Sequence, residues 1–309
     1  YLKAKHKYEK RENMEDTNMT RGLLNKAIEL DNNLLVAKRL LGITYKSEGD
    51  FERARCIYED ALLQSEKLNY KRDTSALLAS LGTLYHNLGE SNKSLSYLNR
   101  ALAIRKELGL NEAAEAMKVS MGLVYWDLGN YDQAIDLMES AHNYFTELGD
   151  IDFMDLTNNL GGLYNGKGLF QKAFDNYKIS LKIRQDKGEV EGIAYPLMGL
   201  GLLSFQKKDF NNALKYLQEA YDICKNINLQ GWGELIGVSV LLALTKKKLK
   251  LSYNDIDLKT LLNKPNTIIG TIDNYNLYQL LEDSIYLETA YNQVQEKADN
   301  LEPDVAAKF

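Results

Sequence analysis

LGITYKSEGDFERA, from Leu41 to Ala54, decides the fold, because the chain repeats it. It returns as LGTLYHNLGESNKS (Leu81 to Ser94), MGLVYWDLGNYDQA (Met121 to Ala134) and LGGLYNGKGLFQKA (Leu160 to Ala173). A weaker fifth copy is LGLLSFQKKDFNNA (Leu200 to Ala213). The glycine in second place recurs at Gly42, Gly82, Gly122, Gly161 and Gly201, and no interval differs from the others by more than one position. A period so nearly fixed means stacked supersecondary units, each too small to bury its apolar face alone.

Each mark in the phrase has a mechanical job. The glycine lets a neighbouring helix come close. Tyr45, Tyr85, Tyr125 and Tyr164 follow one turn later on the same helix face and fill the space beside it; the fifth copy has Ser204. Gly49, Gly89, Gly129 and Gly168 stand where the first helix must end in a left-handed residue. Phe51, Tyr131, Phe170 and Phe210 open the second helix, with Ser91 as the exception. Small residues beyond the phrase (Ala61, Ala101, Ala141, Ser180 and Ala220) lie two turns further along that helix, where it crosses its partner.

These residues are the tetratricopeptide signature, and the chain resembles that family over most of its length. The resemblance implies an all-α fold: a right-handed superhelical solenoid of antiparallel helix pairs, with divergent terminal helices. The family's usual period is about 34 residues, and the glycines here are spaced more widely. The extra residues lengthen the second helix, in the manner of the extended repeats of kinesin light chains.

Reading outward, residues 1–31 form a partial repeat whose second helix is RGLLNKAIELD, with Ala27 set one ordinary repeat length before Ala61. Residues 32–230 hold the five repeats, and 231–309 a divergent helical cap, all one solenoid. GELIGVSVLLALTKKKLK packs on the fifth repeat. LSYNDIDLKTLLNKPNTIIGTIDN, with Pro265, is one short helix between loops, and NLYQLLEDSIYLETAYNQVQEKADNLE forms a last pair. Spacing starts the first helix of the fifth repeat near Gly192. Pro196 then falls in or just past the first turn, as a harmless N-terminal proline or as the cause of a kink near Gly192.

Composition excludes several functions. The formal net charge is −5, against the basic footprint that nucleic-acid binding needs. No apolar run reaches the roughly 18 residues of a membrane span, and YLKAKHKYEK lacks the apolar core of a signal peptide. The start at Tyr1 and the stop at Phe309, inside what reads as a new helix, suggest a piece of a longer protein. Cys56 and Cys224 fall in different repeats and read as reduced core thiols in a cytoplasmic protein. His6, His86 and His142 have no metal-ligand spacing to one another or to a cysteine. No phosphate-binding loop follows a strand, and KKKLK (Lys246 to Lys250) reads as a solvated helix end. No catalytic set, metal or cofactor is expected.

What remains is the inner surface, which first helices line in this fold. Counted from the glycine, the inward positions lie three before, one after and four after it. They include Arg39, Lys46, Thr83, His86, Trp126, Asn158, Asn165, Met198 and Phe205. Asn158 and Asn165 stand two turns apart on one face, where a carboxamide pair can bond the backbone of an extended peptide as both donor and acceptor. Trp126 and Phe205 can anchor apolar side chains, or they and the asparagines can serve repeat packing. The expected partner is a protein or peptide, neither nucleic acid nor membrane. The expected role is a binding scaffold, with a free-standing adaptor or a small-ligand or signal-peptide sensor as the alternative.

A second resemblance lies in the flanks. YLKAKHKYEKRENMEDT and LLEDSIYLETAYNQVQEKADNLEPDVAAKF look similar to the repeat-bearing tail of certain bacterial class III adenylate/guanylate cyclases. The resemblance implies the regulatory or partner-sensing part of a larger signalling protein, with oligomerisation through the full-length chain. None of that family's catalytic residues maps onto this sequence.

Overall fold

In the computed structural model the described residues are 1–11, 14–149, 154–226, 232–253, 258, 260, 262 and 271–299, and all their regular structure is helical. Pro265 and the last residues, 300–309, on which two of the readings above depend, lie outside them. The chain divides into two compact units, Tyr1–Ala141 and His142–Phe309. The helices are α1 (Leu2–Glu9), α2 (Met14–Leu30), α3 (Leu35–Lys46), α4 (Phe51–Lys67), α5 (Lys71–Asn87), α6 (Ser91–Glu107), α7 (Asn111–Asp127) and α8 (Tyr131–Glu147). They continue with α9 (Met154–Gly166), α10 (Phe170–Lys187), α11 (Val190–Gln206), α12 (Phe210–Asn226), α13 (Trp232–Lys248), α14 (Thr271–Leu281) and α15 (Ser284–Asp299).

Within each unit consecutive helices pack pairwise, and the first helices of neighbouring repeats also touch: α3 with α5 and α5 with α7, then α9 with α11 and α11 with α13. Most repeat helices have 17 residues, about 25 Å at 1.5 Å per residue. The small residues predicted for the crossing points (Ala54, Ala61, Ser94, Ala101, Ala134, Ala141, Ala173, Ser180, Ala213 and Ala220) are all fully buried. Where serine replaces alanine its hydroxyl needs an acceptor, and Ser94 Oγ donates to the Gly82 carbonyl at 2.7 Å.

The reason for the glycine becomes visible only here. A Cβ on Gly42 would stand 2.3 Å from the Tyr58 ring; on Gly82, 2.6 Å from Leu98; on Gly122, 2.9 Å from Met138; on Gly161, 2.7 Å from Tyr177; on Gly201, 2.6 Å from Leu217. The partner is always a large side chain of the second helix, at the same offset from its glycine in all five repeats. Tyr177 is held from two sides, since a Cβ on Gly199 of α11 would lie 2.4 Å from the same ring.

First helices end in left-handed residues at Gly49, Gly89, Gly129 and Gly168, as expected, with φ between 69° and 80°. The fifth copy puts Lys208 there at φ 62°, a conformation that costs a side-chain-bearing residue about 1–2 kcal/mol. Lys208→Gly is therefore expected to stabilise the protein by about 1 kcal/mol, read as a higher urea midpoint at unchanged slope.

Three sequence expectations change. Helix α11 begins at Val190, so Pro196 is its seventh residue and lies beyond the first turn. Proline has no N–H to give the Gly192 carbonyl, and the buried Arg184 guanidinium packs at this spot, where a Cβ on Gly192 would lie 1.9 Å from Nη1. Cys224 is buried, but Cys56 is exposed on α4. Lys247 is more than a solvated helix end: its ammonium donates to the Gln279 and Leu280 carbonyls at 3.2 and 2.9 Å and pairs with Glu282 at 3.0 Å. It thereby caps the C-terminus of α14. Asp273 lies beside Gly237 at the other end, so α14 runs parallel to α13, like the first helices of successive repeats.

Candidate functional site

In the first unit the inward residues of α3, α5 and α7 meet across repeat boundaries. Lys46 Nζ at the end of α3 is 3.4 Å from Thr83 Oγ1 on α5, whose hydroxyl donates to the Ser80 carbonyl at 3.0 Å. His86 Nε2 on α5 lies 2.7 Å from Asp127 Oδ2 on α7. The repeat spacing itself produces these bridges, because a residue four after one glycine reaches positions one or five after the next. Trp126 is half-buried beside Asp127. Arg39, two turns before Lys46 on α3, is also half-buried. Burial holds the Lys46 ammonium below the usual lysine range. Arg105, at the end of α6, is lowered as well, first by burial and then by the charge of Arg39.

In the second unit Asn158 and Asn165 lie on α9, half-buried. Both Oδ1 atoms are buried and accept no hydrogen bond among the described residues. An acceptor withheld from water and left unpaired costs about 1–3 kcal/mol, so two of them two turns apart on one face are an expensive feature. A half-turn of either carboxamide exchanges its oxygen and nitrogen, so each can present a donor or an acceptor outward. Met198 is half-buried on α11. Phe205 meets Phe210 edge-on, with ring centres 5.4 Å apart, and packs against the cluster of Ile236, Val240, Leu244, Leu277 and Leu280. The structure thus brings Lys46 to Thr83 and His86 to Asp127, and it packs the half-buried Phe205 against a hydrophobic cluster.

Sequence reasoning did not find Asp127 or Arg105. Asp127 stands five after Gly122, one position past the three counted as inward. Arg105 ends a second helix, and Arg184 occupies the same place in its own repeat, counted from Gly82 and Gly161 respectively. Their common offset was the available signal. Arg105 Nη1 donates to the Ala113 carbonyl at 2.7 Å, tying the end of α6 to the start of α7.

Among the described residues no group of three or more histidine, cysteine or carboxylate side chains is placed to hold a metal, and no helix is long and apolar enough to cross a membrane.

Comparison with known proteins agrees with this geometry. Two tetratricopeptide repeat profiles match, one over residues 33–107 and 152–226 and the other over 115–141, together more than half of the chain. None of the curated proteins matches. Among solved structures the chain is similar to BtubC (BKLC) from P. vanneervenii, at 22% identity and a TM-score of 0.58, covering 70% of this chain and 91% of that one. It is similar to the apo form of RapI at 14% identity and a TM-score of 0.65, covering 86% and 98%. It is also similar to the apo form of the quorum sensor NprR from B. thuringiensis at 15% identity and a TM-score of 0.64, covering 97% and 80%. At these identities the likeness concerns the fold.

Proposed function

From a chain that belongs to the tetratricopeptide repeat family, we propose a binding scaffold whose inner face holds an extended segment of a partner protein. The observation that carries this reading is the pair of unpaired buried carboxamide oxygens at Asn158 and Asn165. Native proteins leave few such groups, and an extended backbone offers N–H and C=O groups at intervals that two carboxamides on one helix face can meet. Met198, half-buried on the neighbouring first helix, offers an adaptable apolar contact.

The test is a partner recovered by co-purification from the native cell and reduced to its shortest binding segment. The double variant Asn158→Ala with Asn165→Ala is expected to weaken that segment about tenfold or more, the value of one to two hydrogen bonds, with melting temperature kept or raised. Unchanged affinity would remove the asparagines from the site.

A regulatory role within a larger signalling protein is a second reading. It is supported by the likeness of the flanks to the tails of class III nucleotide cyclases. The reading frame upstream of Tyr1 tests it: a cyclase domain encoded there sustains the role, and a frame without one ends it.

A further inference from the structure

The last helix pair turns an apolar face outward. Asn274 of α14 donates to Gln293 of α15 at 3.2 Å, and the half-buried Tyr286 of α15 packs against Leu277 and Leu280. These contacts fix how the two helices are turned toward each other. Helix α13 covers one flank of α14, where Asp273 stands beside Gly237. At about 100° per residue, Tyr275 lies on the opposite flank of α14. The same side of α15 carries Leu287, Tyr291, Val294 and Ala298, one stripe at helical spacing with no charged residue in it. Tyr291 is 62% exposed, Tyr275 49% and Leu287 39%, while Val294 and Ala298 are half-buried. In a stacked array this is the side on which a following helix would pack.

Terminal repeats stay soluble by turning a polar face outward, and this pair does the opposite. The stripe and Tyr275 together leave roughly 400 Å² open, a size at which an apolar patch on a single chain is often functional. Doubled across a two-fold axis and widened by its polar rim, such a patch reaches the lower end of the about 1,200–2,000 Å² that stable protein pairs bury. Tyrosine is a favoured anchor at the centre of such interfaces. A face without charge meets its own copy with no like-charge repulsion, and a two-fold axis lets one patch serve on both sides. We propose that the chain pairs with a second copy of itself through this end face, with Tyr275, Leu287 and Tyr291 at the centre of the contact. The pairing goes beyond the scaffold reading and involves neither Asn158 nor Asn165.

Sedimentation equilibrium of the full chain tests it. The mass is expected to rise from one chain toward two, with a midpoint below about 100 µM. Tyr275→Glu with Tyr291→Glu should raise that midpoint at least about tenfold, with the circular dichroism spectrum and melting of the dilute chain retained. Tyr291→Glu alone should give a smaller shift in the same direction. Ile285 is the control: it is 60% exposed but stands two residues before Leu287, on the other side of α15, so Ile285→Glu should leave the midpoint where it was. A single-chain mass at about 200 µM, twice the highest midpoint expected, overturns the proposal. So does a dimer that survives the double tyrosine variant, or one that Ile285→Glu weakens equally. Assemblies that keep growing with concentration overturn the two-fold arrangement. A full chain that stays single while a chain cut after Asp299 dimerises also overturns the proposal, because residues 300–309 would then be the occupant of the face.

Discussion

Tyr177→Ala is expected to destabilise the protein by roughly 3–5 kcal/mol, the usual cost of emptying a buried aromatic site. The ring is wedged between α9 and α11, facing Gly161 on one side and Gly199 on the other. Helices with glycine at the contact approach too closely to collapse further, so the cavity would persist. Urea unfolding followed by circular dichroism measures the loss, and a change under about 1 kcal/mol would show that the ring is not the wedge described.

The hydroxyl of the same residue gives that experiment a second arm. Burial pushes Tyr177 up to about 12 from an ordinary value near 10. Below pH 10 both the folded and the unfolded chain keep the phenol protonated, and stability is full. Between about 10 and 12 the unfolded chain releases the proton while the folded chain retains it, so stability falls with rising pH. The rise is worth about 2–3 kcal/mol. Tyr177→Phe keeps the wedge and removes this contribution, so its urea midpoint should drop less between pH 9 and pH 11 than that of the parent.

Gly42→Ala is expected to cost about 1–3 kcal/mol, and Gly122→Ala clearly less. Both exchanges gain nearly 1 kcal/mol of helix propensity, and what differs is the neighbour. The new methyl at position 42 would meet the Tyr58 ring at 2.3 Å. That ring is rigid and fully buried, so helix or ring must move, with the cost typical of overpacking. At position 122 the closest atoms belong to Met138, at 2.9 and 3.1 Å; Met138 is fully buried as well, but an unbranched thioether yields more readily than a ring. Thermal melting of the two variants side by side tests the ranking. Equal losses would mean that the five glycines serve a purpose common to all repeats, and not the local fit to the facing side chain.

Much of this molecule was legible in advance because its information is local and repeated. A glycine once per repeat, a tyrosine one turn on, a left-handed stop and small residues two turns apart each act within a single helix pair. Five copies made the pattern plain, and Ala54 through Ala220 are buried where the phrase put them. The candidate inner face was readable only as a set of positions. What became of each residue depended on helices a whole repeat away in sequence, which the periodicity of one helix does not describe. Phe205 was drawn into the cluster around Leu277 and Leu280. His86 found Asp127 on the next first helix, while Asn158 and Asn165 were left with buried, unpaired oxygens.

By itself, then, the sequence determined the helical repeat, its length and its points of close approach, since those follow from backbone conformation and side-chain size at fixed offsets. Only the tertiary structure decided which large side chain fills each glycine notch, and which inward amides remain unpaired. Those outcomes depend on distances between separate helices.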